Sequence, residues 1–352
     1  MFEAGVVYRN EDSYCGPISM LTKLPGGELL LAFREAKWRE RVTHRDPTTR
    51  VSLLRSRDGG LTWFSHVTPD AAGGNGVGLT RLSNGIVIVT AYHWRYALSD
   101  DARELEGMPR QGEDGAFGLP YAGAGVFRTF SHTDGYTWED SVHIEEPPGW
   151  PDIACHAQPI ELPDGDLLLP VTGRKGPEGQ SHGMILRSED EALTWGDPVC
   201  MTDDAPDDVN FHETRLVLCP SGKIVGMHRT PDGNYWQNVS TDGGHSWSES
   251  METPIWCGGS SPPDLRLLDD GRLLLTRGYR REPFGVRAYL SDDEGESWSV
   301  DNPIVLRDDG LDRDVGYPST AQREDGSMLT VYYWHEEDQI RHLQRTIWDL
   351  PD

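Results

Sequence analysis

The sequence has few cysteines, no long apolar run and no recognisable leader. Its 352 residues include five cysteines, an odd number without the short spacings of a metal site, so we expect buried small side chains rather than disulfides. No stretch approaches the roughly eighteen apolar residues of a membrane-spanning helix. The first residues, MFEAGVVYRNEDSY, lack the basic region and apolar core of a signal peptide. We therefore expect no membrane span, and a cytoplasmic protein, or a secreted one whose signal peptide has been removed.

Basic residues are also scarce. There are 32 lysines and arginines against 58 aspartates and glutamates, which gives a formal net charge of −26. A surface of this sign repels nucleic acids and anionic membranes. We therefore expect neither of them as a partner.

One eight-residue pattern, Ser-x-Asp-x-Gly-x-Ser/Thr-Trp, recurs along the chain. Full copies are SRDGGLTW (56–63), STDGGHSW (240–247) and SDDEGESW (291–298), and imperfect copies are SHTDGYTW (131–138) and SEDEALTW (188–195). The closing tryptophans are 75, 57, 52 and 51 residues apart, which is typical of a repeat architecture with one supersecondary unit per repeat. We expect a structural role for these boxes: Asp and Ser satisfy turn backbone, Gly supplies positive φ, and Trp packs between sheets.

A second repeat precedes most of the boxes. It is a glycine-containing turn followed by a dense apolar run, which is a strong hairpin signal, and it occupies residues 24–34, 82–93, 162–173, 219–229, 268–280 and 323–335. Six four-stranded units predict an all-β fold, a six-bladed β-propeller that closes radially and forms one domain over 1–352. The sixth unit lacks a box, and we expect residues 4–9 to supply its outer strand.

Antiparallel blades place the turns and boxes on one face. The opposite, upper face holds the starts of first strands, the ends of second strands and the loops between second and third strands. Polar residues from nearly every blade fall there, and they predict a convergent site that includes the long insertion 95–125. Six histidines share this face, namely His44, His93, His156, His212, His228 and His335. None has a short ligand spacing to another, so we expect no metal and no other cofactor.

The boxes resemble those of the Asp-box (BNR) proteins, and the whole chain resembles the sialidase superfamily of six-bladed propellers. Sialidases cleave a terminal keto acid sugar. The resemblance implies three arginines that hold its carboxylate, a nucleophilic Tyr, a Glu that helps to ionise it, and an Asp as acid/base. By this resemblance the catalytic residues are Tyr317 in Gly-Tyr-Pro-Ser, Glu213, and Asp46 in the loop that follows the first hairpin.

The substrate-binding set departs from the sialidase pattern at one position. Arg229 resembles the second arginine, and Arg280 or Arg281 resembles the third. The first is absent, because the chain reads Cys-Gly-Pro-Ile at 15–18 where sialidases have Arg-Ile-Pro. We expect Arg34 to reach the same face in its place, and His93 and His156 to contribute from blades two and three.

Three functions stay open from the sequence. The first is an exo-glycosidase that removes a terminal acidic sugar through Tyr317 and Glu213. The second is a lyase acting on a uronate-containing glycan, in which Arg neutralises the carboxylate while His or Tyr removes the α-proton. The third is a propeller that binds a glycan or a protein without catalysis. An acidic carbohydrate is the expected partner for the first two.

Overall fold

The fold is known from a computed structural model. It describes residues 2–351 except 41, 42, 44, 73, 98–120, 177, 178, 258 and 260. The insertion predicted at 95–125 and His44 therefore lie largely or wholly outside the described residues. The described part consists of strands, turns and loops without a helix, and it holds no helix long and apolar enough to cross a membrane.

In the described residues twenty-five strands form six antiparallel sheets. Strands pair in chain order, except that β10 and β11 both pair with β12 and that β1 pairs with β25. Blade one contains β2 (Ser13–Lys23), β3 (Leu29–Lys37), β4 (Arg50–Ser56) and β5 (Phe64–Asp70). Blade two contains β6 (Val77–Arg81), β7 (Val87–Tyr96), β8 (Tyr121–Ser131) and β9 (Val142–Ile144). Blade three contains β10 (Asp152–Ala154), β11 (Ile160–Glu161), β12 (Leu167–Arg174), β13 (Ser181–Ser188) and β14 (Gly196–Cys200).

The other three blades follow the same order. Blade four contains β15 (His212–Leu218), β16 (Ile224–Arg229), β17 (Asn234–Ser240) and β18 (Met251–Trp256). Blade five contains β19 (Asp264–Leu267), β20 (Leu273–Tyr279), β21 (Gly285–Ser291) and β22 (Ile304–Arg307). Blade six contains β23 (Gly316–Gln322), β24 (Met328–Trp334), β25 (His342–Trp348) and β1 (Phe2–Tyr8). The predicted all-β, six-bladed β-propeller is confirmed.

The N-terminal strand β1 is the outer strand of blade six. It pairs antiparallel with β25, with Phe2 opposite Trp348 and Val6 opposite Gln344. The Tyr8 hydroxyl then donates to Glu35 Oε1 on β3 at 2.8 Å. Strand pairing within blade six and a hydrogen bond to blade one therefore join the two ends of the ring.

The apolar core lies within and between the blades. The second strand of each sheet is almost fully buried, as the pattern of β3 from Leu29 to Ala36 shows. The largest cluster joins blade one to its neighbours, and it includes Leu30 of blade one, Val89 of blade two and Val331 of blade six. All five cysteines are free; four are buried and Cys200 is half-buried.

The boxes are turns held by their own side chains. Ser240 Oγ donates to Asp242 Oδ1 at 2.8 Å and accepts from the Gly244 amide at 2.8 Å. Asp242 Oδ1 in turn accepts from the Ser246 amide at 2.9 Å. Gly244 has a φ of +89°, the left-handed region that glycine enters without a Cβ clash. These bonds explain why the Ser, Asp and Gly recur.

The two imperfect boxes keep this geometry with other residues. Ala192 takes the glycine position with a φ of +68°, and its amide still donates to Ser188 Oγ at 2.9 Å. In the other copy Thr133 replaces the aspartate as hydrogen-bond acceptor, because its Oγ1 accepts from the Thr137 amide at 2.9 Å. Asp134, one position after the usual aspartate, is exposed and forms an ion pair with Arg81. The turn therefore tolerates substitution wherever the acceptor or the φ is preserved.

Candidate functional site

Two first strands begin with residues in an unusual backbone conformation. Glu213 at the start of β15 has a φ of +43°, and Tyr317 at the start of β23 has a φ of +50°. At both places the register with the second strand shifts, between His212 and Arg215 and between Gly316 and Ser319. A bulge of this kind re-aims a side chain, and left-handed non-glycine residues concentrate at functional sites.

The bulges bring Tyr317 and Glu213 together. The Tyr317 hydroxyl donates to Glu213 Oε1 at 2.8 Å. Arg229, the last residue of β16, forms an ion pair with Glu213 Oε2 through Nη1 and donates to the Tyr317 oxygen at 3.2 Å. Three residues predicted from the sequence thus form one hydrogen-bonded cluster between blades four and six.

Burial and charge set the protonation of this cluster. Burial raises the pKa of Tyr317 to about 12, and the negative charge of Glu213 acts in the same direction. Burial would also raise the pKa of Glu213, but the charge of Arg229, the charge of His156 and two hydrogen bonds hold it well below its usual value. At neutral pH the pair is therefore a neutral phenol that donates to an ionised carboxylate.

Arg280 lies on the other side of Tyr317. Its guanidinium carbon is 5.6 Å from the Tyr317 ring centroid, and its Nη2 donates to the Tyr333 hydroxyl at 2.7 Å. Tyr333 donates onward to Asp314 Oδ1 at 2.8 Å, and Arg341 Nε donates to Asp314 Oδ2 at 2.6 Å. Arg280 is thus fixed beside the cluster by a chain of neutral and charged hydrogen bonds.

Tyr333 packs against Gly16, within the Cys-Gly-Pro-Ile segment of blade one. Gly16 has a φ of +95°, and the pairing of β2 with β3 shifts there as it does in blades four and six. A Cβ on Gly16 would lie 2.8 Å from Tyr333 Cγ, so no other residue fits unless that ring moves. Tyr333 does not stand out in the sequence, because it lies inside the apolar run Val-Tyr-Tyr-Trp. Its position at the end of a second strand was the available signal.

Arg34 is not placed to bind a ligand at this site. Its side chain is fully buried, and it donates to the carbonyls of Gly16 at 2.8 Å and Thr43 at 2.9 Å. The expectation that it replaces the missing arginine at the ligand-facing surface does not agree with this placement. Arg34 instead supports the backbone beneath Gly16 and the loop after β3.

Asp46 is held within its own loop. It forms an ion pair with Arg39 and accepts from the amide of Thr48 at 2.9 Å and from its hydroxyl at 2.7 Å. Burial would raise its pKa, but these partners lower it below the usual value. Among the described contacts none joins Asp46 to Tyr317 or Glu213. In this structure Asp46 is an ionised, engaged carboxylate.

One of the predicted histidines lies near the Tyr317 cluster, and others pack within or between the blades. His156 is half-buried and close enough for its charge to lower the pKa of Glu213. His93 is buried, lies 2.7 Å from Asp70 Oδ2 and stacks on Phe127 at 4.0 Å, so it joins blades one and two. His228 is fully buried between Thr214 and Asn238. Of these three, only His156 adjoins the cluster.

Arg281 is exposed, and its guanidinium carbon lies 3.5 Å from the Trp256 ring centroid. It lines a groove beside Arg280 rather than the Tyr317 cluster itself. The structure therefore favours Arg280 over Arg281 as the arginine next to Tyr317.

One group of described side chains has the spacing of a metal site. The ligand atoms of His182, Cys200 and Asp203 lie within 4.8 Å of one another. His182 is on β13 and Cys200 on β14, the outer strands of blade three, and the group includes no member of the Tyr317 cluster. The cluster chemistry accordingly does not involve it.

The sequence and the fold were compared with those of known proteins. A family profile described as "BNR repeat-like domain" matches residues 121–331, more than half of the chain. No curated protein matches the sequence significantly.

Solved structures match the fold over nearly the whole chain. A protein of unknown function from Dyadobacter fermentans has 24% identity and a TM-score of 0.86, with 99% of this chain and 98% of that chain covered. The intramolecular trans-sialidase from Ruminococcus gnavus, in complex with oseltamivir carboxylate, has 14% identity and a TM-score of 0.70, with 96% and 94% covered. The NanB sialidase from Streptococcus pneumoniae has 13% identity and a TM-score of 0.70, with 98% and 70% covered. The chain thus shares the propeller fold of sialidases.

Proposed function

This chain belongs to the BNR repeat-like domain family, and we propose that it is a glycoside hydrolase of sialidase type, which removes a terminal acidic sugar from a glycan. The observation that carries the proposal is the bond from the Tyr317 hydroxyl to Glu213 Oε1 at 2.8 Å, with Arg229 against both groups. A buried phenol beside an ionised carboxylate is a nucleophile next to its base.

Catalysis would begin with transfer of the Tyr317 proton to Glu213. The phenolate oxygen then attacks the anomeric carbon, and the bond from that carbon to the leaving-group oxygen breaks. Arg229 would stabilise the phenolate, because its Nη1 already lies 3.2 Å from the Tyr317 oxygen. Water would then attack the anomeric carbon, the bond from that carbon to the Tyr317 oxygen would break, and Glu213 would return its proton to Tyr317. The water's hydroxyl stays on the sugar, and its remaining proton replaces the one taken up by the leaving group. Sialidases are the exception to the two-carboxylate scheme in using a tyrosine.

Arg280 is the group best placed to hold the sugar carboxylate. It lies beside Tyr317, and among the described residues its hydrogen-bond partners are the Tyr333 hydroxyl and the carbonyls of Val315 and Gly259 rather than a carboxylate. Its positive charge is therefore not directly paired, and guanidinium groups bind carboxylates with two parallel hydrogen bonds. The chain reads Cys-Gly-Pro-Ile at 15–18, where the sialidase pattern has its first arginine, so the expected acid would bind through fewer positive charges.

The family resemblance assigns to Asp46 the role of protonating the leaving group. To donate a proton, Asp46 would have to lose its contact with Arg39 and become protonated when the substrate binds. An aryl leaving group departs as an anion without such help. An aryl glycoside therefore tests the nucleophile separately from the acid.

The test is release of methylumbelliferone from its sialoside by wild type, Tyr317→Phe and Tyr332→Phe. Tyr332 is also fully buried, but its hydroxyl pairs with Thr346 at 2.7 Å outside the cluster, so it controls for loss of a buried phenol. We expect wild type and Tyr332→Phe to be active and Tyr317→Phe to lose at least about a thousandfold in kcat, as for loss of a nucleophile. Undiminished hydrolysis by Tyr317→Phe would overturn the mechanism.

A uronate lyase is the second candidate, and the absence of the first arginine from the Cys-Gly-Pro-Ile segment at 15–18 favours it. Tyr317, once its proton has passed to Glu213, would take the C5 proton as a phenolate while the C4 oxygen substituent leaves with its bonding electrons, and a C4=C5 double bond results. Arg280 would neutralise the adjacent carboxylate. Its product absorbs ultraviolet light, whereas a hydrolase product does not. Absorbance during incubation with uronate oligosaccharides separates the two, and binding of either glycan without turnover would indicate a non-catalytic propeller.

A further inference from the structure

Blade five carries arginines of two kinds. Arg266, Arg272 and Arg307 each form an ion pair with an aspartate two residues away in the sequence. Five others, within the blade or in the loop after it, form no ion pair with any carboxylate in the described part of the chain, and they are Arg277, Arg280, Arg281, Arg287 and Arg313. The protein has a net charge of −26, so acidic residues outnumber basic ones. An excess of basic residues therefore does not explain why these arginines are unpaired.

Three of these arginines line one groove. It lies between blades four and five, has a volume of about 500 Å³, and contains Arg280, Arg281 and Arg313 with Trp256 and Phe284. Its volume is in the range of small-molecule sites, about 300–1,000 Å³. The Arg280 guanidinium carbon also lies 5.6 Å from the Tyr317 ring centroid, so this side chain connects the groove with the proposed catalytic cluster.

Arg281 and Trp256 make a flat surface in this groove. The Arg281 guanidinium carbon is 3.5 Å from the Trp256 ring centroid, and Tyr279 meets the Trp256 ring edge-on at 6.0 Å. A guanidinium stacked on an indole keeps its N–H donors free at its edge. A sugar ring can therefore pack beside this surface while its acidic group takes those donors.

A buried arginine adds to the positive potential. Arg277 is fully buried, and its Nη1 and Nη2 have no hydrogen-bond partner in the part of the chain that the structure describes. Its guanidinium carbon lies 5.1 Å from the Trp256 ring centroid and 5.2 Å from that of Tyr279. An unpaired charge is costly to bury, and an anion bound in the groove above Trp256 would offset part of that cost.

The groove also has two carboxylates, Asp232 and Asp312. Asp312 Oδ1 lies 3.1 Å from His335 Nε2, so one of its two carboxylate oxygens contacts a histidine. Carboxylates and arginines together suit a ligand that has both hydroxyl donors and an acidic group, which is the chemistry of an acidic sugar. A simple inorganic anion would use the arginines alone.

From these contacts we infer that the groove lined by Trp256, Arg281 and Arg313 is a second sugar subsite, which binds an anionic residue, carboxylated or sulfated, next to the sugar that is cleaved. Its place in the reaction rests on the proposed function, since Arg280 connects it to Tyr317. The binding itself needs no turnover.

Calorimetric titration with methyl β-glucuronide tests this inference, with methyl β-glucoside as the neutral counterpart. We expect wild type to bind the glucuronide, and Arg281→Gln and Arg313→Gln each to raise its Kd about tenfold, the loss of one charge-assisted contact. Arg281 and Arg313 are exposed, so neither change threatens folding. Arg272→Gln, at the turn end of the same blade, is the matched control and should leave Kd within about twofold of wild type.

Methyl glucoside 6-sulfate, titrated in parallel, tells whether a carboxylate or a sulfate is preferred. The inference is overturned if wild type binds neither anionic sugar, if the neutral glucoside binds as tightly as both, or if Arg281→Gln and Arg313→Gln leave Kd unchanged. Failure of the proposed function has a different signature. In that case the sialoside is not hydrolysed, yet glucuronide binding and its loss in Arg281→Gln persist.

Discussion

Acid should destabilise this propeller in part through a single carboxylate, that of Glu35 on β3. Its side chain is fully buried and accepts hydrogen bonds from Tyr8 at 2.8 Å, Ser13 at 2.7 Å and Ser52 at 2.7 Å. Arg50 Nη2, in an ion pair, and His66 Nε2 each lie 3.0 Å from Glu35 Oε2. Because Tyr8 belongs to β1 of blade six, this carboxylate also holds the closure of the ring.

The size of the effect follows from the pKa of Glu35. Burial would raise it, but the hydrogen bonds from Ser52, Ser13 and Tyr8 and the charge of Arg50 lower it from 4.5 to about 2. A carboxylate with a depressed folded-state pKa stabilises the fold above its unfolded pKa and loses that contribution as pH falls toward the folded one. A difference of about 2.5 units corresponds to about 3 kcal/mol, present at pH 7 and lost between about pH 4.5 and pH 2.

The assay is urea unfolding of wild type, Glu35→Gln and Glu337→Gln at a series of pH values. Glu337 is exposed and forms no hydrogen bond among the described residues, so its variant controls for removal of one negative charge. We expect Glu35→Gln to be less stable than wild type by about 3 kcal/mol at pH 7, with the gap narrowing below about pH 4.5. A gap that is absent at pH 7, or that does not change with pH, would refute the reasoning.

Two further predictions concern the site. Arg229→Met removes the partner of a buried carboxylate, so we expect a loss of about 3–5 kcal/mol in the free energy of unfolding and a rise in the pKa of Glu213, measured by denaturation and by the pH dependence of hydrolysis; unchanged stability would contradict the ion pair. Gly278→Ala places a Cβ 2.7 Å from the Cα of Gly316, the residue before Tyr317, so we expect a cost of about 1–3 kcal/mol and reduced kcat. Gly196→Ala, whose Cβ meets open space, should have neither effect, and equal behaviour of the two variants would exclude the close approach as the cause.

The blades were predictable because the hairpin turns and the boxes carry local chemistry. A glycine at positive φ and a serine or aspartate that accepts amide bonds are needed by the turn itself, as Ser240, Asp242 and Gly244 show. The substitutions at Thr133 and Ala192 preserve the acceptor or the φ. These turn-forming residues act locally and do not depend on distant parts of the chain, so a single sequence is enough to predict the turns.

Site residues were predictable only where the position of a residue in its strand is enough to place its side chain in the site. Glu213 and Tyr317 begin first strands, and any residue there is near the centre. Arg34 and His93 end second strands, where the direction of the side chain alternates from one residue to the next. Both point instead into packed regions, toward the Gly16 carbonyl and toward Asp70. The bulges that turn Glu213 and Tyr317 inward have no local sequence signature, and Tyr333 was hidden among apolar neighbours.

The central claim is that Tyr317 forms a bond to the sugar, and mass spectrometry tests it most directly. Wild type would be mixed with methylumbelliferyl sialoside at saturating concentration, quenched in acid within the first turnovers, digested and analysed. Because the aryl group leaves readily, the second step limits the rate and the intermediate accumulates. The account predicts a peptide containing Tyr317 that is heavier by one sialyl group. Turnover without this adduct, or an adduct on another residue such as Tyr333, would contradict it.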